Sequence, residues 1–195
     1  MEIGSRIDRR PRVGVRTLIA ALLSVCALGA AGAQRASPAT EYEVKAAYVF
    51  NFLSFVTWPA SAFASPTAPI VIGVVGDSPL MEPLRRVIQG EVVNGRPLEA
   101  RRIDRVEDIQ ECHVLFTGAK GPRRQPTTPS APLLTVGETD DFLPSGGVVR
   151  LAVTTDNRVV FDVNLEAMNR ASLKPNARLL KVARRVVGAT GGTDR

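Results

Sequence analysis

Apolar positions along the chain fall into short blocks separated by turn-forming residues, and each block has its own period. The first, EYEVKAAYVFNFLSFVTWP, predicts a helix from about residue 41 to 57, stopped by Pro59 after Trp58. PASAFASPTAP (59–69) reads as a small-residue loop. IVIGVVG (70–76) is nearly continuous and rich in β-branched residues, as a strand covered on both faces would be. Asp77-Ser78-Pro79 then offers a helix cap and a first-turn proline. Leu80, Leu84, Val87 and Ile88 follow at helical spacing, and Gly90 closes that helix. EVVNGRPLEARRI (91–103) predicts short extended pieces about an Asn94-Gly95 hairpin turn. A helical turn at 104–110 leads to a second buried strand, HVLFTG (113–118). KGPRRQPTTPSAP (120–132) reads as an exposed loop, and LLTVG (133–137) as a third strand. Residues 146–165 hold two alternating runs about a T-D-N turn, hence an antiparallel pair. The end predicts helix at 165–172, a break at Lys174-Pro175-Asn176, helix at 177–187, and a disordered tail over 188–195. Strands alternating with helices define an α/β class: a single layered domain, a mixed and mostly parallel β-sheet flanked by helices, and a β-hairpin in the C-terminal half.

The segment before these blocks sets the expected compartment. Residues 1–16 carry five arginines, TLIAALLSVCALGA (17–30) is apolar, and AGA-Q (31–34) ends in small residues. That order is expected of a cleaved secretory signal peptide over 1–33, followed by a flexible lead-in over 34–40 and the folded domain over 41–187. Its apolar run of about fourteen residues is short for a permanent anchor. Removing 1–33 takes away five arginines and two acids, lowering the net charge from +6 to +3. No basic cluster with interleaved aromatics remains, which argues against nucleic acid as a partner. No stable membrane insertion is expected once the signal segment is gone, and periplasmic localisation follows.

Six of the chain's ten aromatic residues lie between 42 and 58. At about 100° per residue, Val44, Ala47, Tyr48, Asn51, Phe52, Phe55 and Trp58 share one side of the first helix. Ala46, Val49, Leu53 and Val56 share the other, with Phe50 leaning that way. A helix apolar nearly all round must be covered twice. Either the fold covers both sides, or the sheet covers one and a partner molecule covers the other. Composition leaves both readings open.

Candidate chemistry is sparse. Gly73-Val74-Val75-Gly76-Asp77 sits at a strand-to-helix turn but does not match G-x-G-x-x-G. It reads as a capped turn, with a small-molecule binding module using the Gly73–Ser78 turn as the alternative. His113, the one histidine, reads as a core residue bonded to a backbone carbonyl. Cys112 is the lone cysteine beyond residue 33 and reads as buried. Glu138, Asp140 and Asp141 read as a solvated acidic turn. Nothing assembles a catalytic constellation, a metal site or a cofactor fingerprint, so a non-enzymatic protein is expected.

Several pieces together resemble the YfiR-like periplasmic proteins. They are Lys45-Ala46-Ala47-Tyr48, Asn51-Phe52, Phe55 and Trp58-Pro59, then Gly76-Asp77-Ser78-Pro79, Gly95-Arg96-Pro97-Leu98 and Cys112-His113-Val114-Leu115-Phe116. Leu134-Thr135-Val136, Phe142, Gly146-Gly147 and Val160-Phe161-Asp162-Val163-Asn164 complete the series. The resemblance implies a compact periplasmic α/β domain, often a homodimer. It implies a repressor that binds the periplasmic sensing domain of an inner-membrane signalling protein, most often a diguanylate cyclase, lowering cyclic di-GMP and limiting biofilm. Tyr48, Phe52, Phe55 and Trp58, with Phe142 and Phe161, are the residues expected to bind that partner. In redox-responsive members a cysteine of the first core strand pairs with the one before His-Val-Leu-Phe. Gly73 stands at the corresponding position here, so redox control is not expected to carry over.

Overall fold

A computed structural model describes residues 40–120 and 132–188. The expected signal peptide, all of the lead-in but Thr40, most of the 120–132 loop and the tail beyond Gly188 lie outside the described residues.

Thr40 opens the first helix, α1, Glu41–Phe55. Its hydroxyl accepts the Glu43 amide at 3.4 Å and its own amide donates to the Glu43 carboxylate at 2.8 Å, a reciprocal cap for two otherwise open N–H groups. The helix stops two residues short of the predicted end. The Phe55 carbonyl accepts the Asn176 amide at 2.8 Å, and β1, Val56–Thr57, pairs antiparallel with β9, Lys174–Pro175. Tertiary pairing thus takes the backbone groups that a last helical turn would have used.

The remaining elements are β2 (Ile70–Val75), α2 (Met81–Ile88), β3 (Val92–Val93), β4 (Arg96–Ile103), β5 (Val114–Thr117), β6 (Leu134–Gly137), β7 (Val149–Val153), β8 (Val159–Asn164), α3 (Leu165–Arg170), α4 (Ala177–Val182) and β10 (Arg185–Val187). Eight strands form one sheet in the order β10-β8-β7-β6-β5-β2-β4-β3. The five from β7 to β4 run parallel, while β3 and β8 return as antiparallel partners of β4 and β7. This is the mixed, mostly parallel α/β sheet that the pattern predicts. Asn94 and Gly95 turn the β3–β4 hairpin at φ 52° and 76°, the left-handed pair that a tight two-residue turn requires.

Three details differ from expectation. The stretch after Gly95 is one eight-residue strand along β2, because its backbone completes the parallel ladder from Leu98 to Ile103. Helix α2 starts at Met81, without a side-chain cap; Ser78 Oγ accepts the Leu80 amide at 3.3 Å and closes a turn ahead of the helix. The last predicted helix breaks after Val182, and β10 joins the sheet parallel to β8. Arg184 causes the break: its amide donates to the Phe161 carbonyl at 2.8 Å and its guanidinium grips the fully buried Asp162 carboxylate at 2.9 and 2.5 Å.

Strand alternation divides the core. Ile70, Ile72 and Val74 of β2 join Val114, Phe116, Leu134, Val136, Phe161 and the inner sides of α1 and α2 in the main cluster. Val71, Ile103, Ile109, Cys112, Leu115 and Leu133 form a thinner cluster on the opposite side. At the amino ends of the strands, the 59–69 loop is pinned by a stack. Arg96 lies 3.6 Å from the Phe63 ring centre, Phe63 stacks on His113 at 4.5 Å, and Arg96 donates to the Ser65 and Ala68 carbonyls at 2.9 and 2.8 Å. His113 Nδ1 accepts the Val71 amide at 3.1 Å, so Nε2 carries the proton and donates to the Ala62 carbonyl at 3.0 Å. The histidine is therefore neutral and fully engaged, as a core residue bonded to a carbonyl.

Protonating Nδ1 would expel the Val71 amide. Burial, with the Arg96 charge adding to it, holds the imidazole below its ordinary value against the pull of the Ala62 carbonyl. A folded-state value below the unfolded one means that the unfolded chain takes up protons first as pH falls. Stability is then full above the ordinary histidine value and declines as pH drops through it. Urea midpoints measured between about pH 7.5 and 5.5 fall with acidification in the native chain, and that slope flattens in His113→Gln.

Candidate functional site

The six aromatic residues expected to bind a partner fall in three places. Phe52 is 1 % exposed and sits edge-on against Phe161 at 5.1 Å, and both belong to the main core. Tyr48 lies half-buried over them, 5.5 Å from the Phe161 ring, and its hydroxyl donates to the Val159 carbonyl at 3.3 Å. Phe55 is half-buried at the C-terminal end of α1. Trp58 is 8 % exposed, donates from Nε1 to the His113 carbonyl at 3.3 Å, and lines a groove of about 280 Å³ with Phe63, Ile70, Asn94 and Arg96. Phe142 stands apart: its ring occupies the space that side chains at Gly137 and Gly147 would fill.

The helical wheel drawn from the sequence needs one rotation. The buried stripe of α1 is Lys45, Ala46, Val49, Phe52 and Leu53. Phe52 belongs with the inner residues, because Phe161 and the sheet lie beneath it. Asn51 and Ser54 are exposed and Val44, Ala47, Tyr48 and Phe55 half-buried, giving an outer ridge of aromatic edges around two small polar residues. α1 is thus covered by its own chain beneath and left open above.

Lys45 is the residue that sequence reasoning missed. It is 4 % exposed and its ammonium meets the carboxylates of both Glu41 and Glu138. The Glu138 side chain is itself only 4 % exposed, and its second oxygen accepts the Ala119 amide at 2.8 Å. This corrects the solvated acidic turn: Asp140 is exposed and pairs with Arg150, but Glu138 points inward. Burial pulls the Lys45 pKa down, yet the hydrogen bonds it donates to Glu138 and then Glu41 outweigh it and leave the ammonium above its ordinary value. One charged residue inside the apolar run KAAYVFNFL, at stripe spacing from Val49, Phe52 and Val56, was the available signal.

The Gly73–Ser78 turn also has a definite setting. Its carboxyl half, with Tyr42 and the Gly118–Lys120 turn after β5, walls a cleft of about 660 Å³. Gly73 itself is interior: a Cβ there would stand 2.7 Å from Cys112 Sγ and 2.8 Å from Ile103 Cγ1. Cys112 is buried, and that burial pushes its thiol up to about 11, so the nucleophilic thiolate is scarce. Among the described residues, no group of three His, Cys, Asp or Glu is placed to hold a metal ion, and no helix is long and apolar enough to cross a membrane.

The described residues form a mixed α/β domain with a half-buried aromatic ridge on the outer side of α1. A sequence profile described as YfiR/HmsC-like matches residues 42–184, and the chain belongs to that family. The chain is also similar to a crystal structure described as a conserved domain protein from Vibrio cholerae O1 biovar El Tor, at 13 % identity and a TM-score of 0.46, over 77 % of this chain and 61 % of that one.

A lone thiol packed against glycine makes the interior indifferent to reductant but intolerant of bulk. Dithiothreitol leaves Tm unchanged in a thermal melt, whereas Gly73→Ala lowers stability by about 1–3 kcal/mol as its methyl group meets the Cys112 sulfur.

Proposed function

We propose that the chain is a periplasmic repressor, exported by its N-terminal segment, that docks on the sensing domain of an inner-membrane diguanylate cyclase and holds it inactive. Family membership over 42–184 carries this reading, since the matched span holds every strand of the described sheet except β10. The outer ridge of α1 and the adjoining Trp58 groove supply the contact surface. Tyr48, Phe55 and Trp58 reach that surface, Phe52 and Phe161 hold Tyr48 in position from beneath, and Phe142 packs apart from them against Gly137 and Gly147. Aromatic edges beside small polar residues suit a partner that brings its own apolar anchors, and such contacts concentrate binding energy. Repression is a population shift: binding the inactive sensor more tightly by about 2.7 kcal/mol tilts its equilibrium roughly a hundredfold.

Exposed ridge positions separate docking from folding. Asn51→Arg and Ser54→Arg place a bulky charge on the surface while leaving the inner stripe intact. Each keeps the native Tm within about 1 °C, loses co-purification with the membrane diguanylate cyclase that the native chain retains, and raises cellular cyclic di-GMP. Retained co-purification in both folded variants would remove the ridge from the interface.

A further inference from the structure

Strand β4 is eight residues long, yet β3 covers only its start: Val93 lies opposite Arg96 and Val92 opposite Pro97. Before Val92 the chain belongs to the turn that follows α2, where the Glu91 amide donates to the Ile88 carbonyl at 3.1 Å. Among the described residues, nothing pairs with the outer edge of β4 from Leu98 to Arg102. Alternation says which backbone groups that edge presents. Val93 and Arg96 close the two-residue turn as a hydrogen-bonded pair, so Arg96 aims its N–H and C=O towards β3. Leu98, Ala100 and Arg102 aim theirs the same way. The intervening set faces β2, as the Ile103 carbonyl shows by accepting the Gly76 amide at 2.9 Å. A row of open donors and acceptors therefore lines the edge, ready to receive another strand.

The side chains select the occupant. Leu98 and Ala100 lean on the main core from one face of the sheet. Glu99 and Arg101 stand exposed on the other, bonded to each other at 2.7 Å, and Arg101 also reaches Glu111 at 2.6 Å. Two copies related by a two-fold axis normal to the sheet keep every side chain on its own face, so antiparallel self-pairing must be centred on a residue. Centred on Ala100, it makes Ala100 with its copy, and Leu98 with Arg102, hydrogen-bonded pairs. Glu99 then faces Arg101 in the non-hydrogen-bonded pairs, where side chains come closest. A shift of the centre by one residue sets Glu99 against Glu99 or Arg101 against Arg101, and like charges there repel. The same arrangement brings the β3 end of one copy to the far end of β4 in the other. Val92 and Val106 stand at those two ends, 60 % and 68 % exposed.

We propose that the outer edge of β4 pairs antiparallel with the same edge of a second copy of this chain, centred on Ala100, and joins two sheets into one. Roughly six backbone hydrogen bonds form across the axis. Each Arg101 gains a second carboxylate across the interface, and the valines at the two ends leave water. Charges that deter a foreign strand match when this edge meets itself. The proposal does not rest on the cyclase-docking reading, whose aromatic ridge lies on α1.

Sedimentation and amide exchange of the native chain test it. The chain sediments as a dimer at about 100 µM, and the Leu98, Ala100 and Arg102 amides exchange more slowly there than at about 1 µM. Glu99→Arg and Arg101→Glu alter exposed side chains, so each keeps the native Tm within about 2 °C. Each sets like charges across the axis and weakens dimerisation about tenfold or more. The double variant Glu99→Arg/Arg101→Glu restores the dimer, as does an equimolar mixture of the two single variants, because opposite charges face each other again. A monomer at about 100 µM overturns the assignment. So do a dimer in which those three amides stay unprotected, single reversals with unchanged affinity, or a charge swap that restores nothing.

Discussion

The structure depends on how α1 is seated on the sheet. Ala46, Val49, Phe52 and Leu53 drive the contact by leaving water, and Phe161 receives Phe52 edge-on. Apolar contact alone would tolerate sliding or rotation of a helix that is greasy on several sides. Lys45 removes that freedom. Its ammonium is buried where only Glu138 and Glu41 can satisfy it, so a slip by one residue would strand a charge in the core. Such a pair adds little net stability over a well-packed apolar substitute, but losing one partner costs several kcal/mol. Its contribution here is position. It fixes which side of α1 faces the sheet, and by subtraction which side faces outward.

That seating organises the surface at both ends of the strands. At the amino ends, Trp58 follows α1 and bonds the His113 carbonyl, while the Arg96–Phe63–His113 stack holds the neighbouring loop. At the carboxyl ends, Glu138 ties α1 to the turn after β5 through the Ala119 amide, which frames the crevice beside Tyr42. One helix therefore contributes to an outer aromatic ridge and to the wall of a crevice, each built on residues whose other sides are in the core. On the proposed docking reading, the partner meets a rigid platform. Little of the recognition surface has to be ordered on binding, so less conformational entropy is lost.

Elements whose period was decided by local chemistry were legible in the sequence. The β2 run, the Asn94-Gly95 turn, the strand after His113 and the hairpin about the T-D-N turn all follow from patterns of a few residues. Elements decided by distant pairing were not. Val56–Thr57 looks helical until Lys174–Pro175 is beside it, and Arg185–Val187 looks helical until Asp162 recruits Arg184. The candidate site shows the same division. Six aromatics in seventeen positions announced an unusual helix, yet their sides could not be assigned from spacing alone. Phe52 and Asn51 stand about 100° apart on the wheel, and the sheet placed one inside and the other outside. Lys45 carried the missing information, since a lone charge within an apolar stripe demands a partner, but nothing in the sequence named Glu138 across 93 positions.

Native-state hydrogen exchange on the folded domain tests the seating of α1 most directly. If the inner stripe and the buried ion pair hold the helix as described, the amides of Val49, Phe52 and Leu53 exchange only through global unfolding, with the same opening free energy as Leu115 and Val136 in the central strands. Exchange of those helical amides through a separate, lower-energy opening, with the sheet still protected, would contradict it.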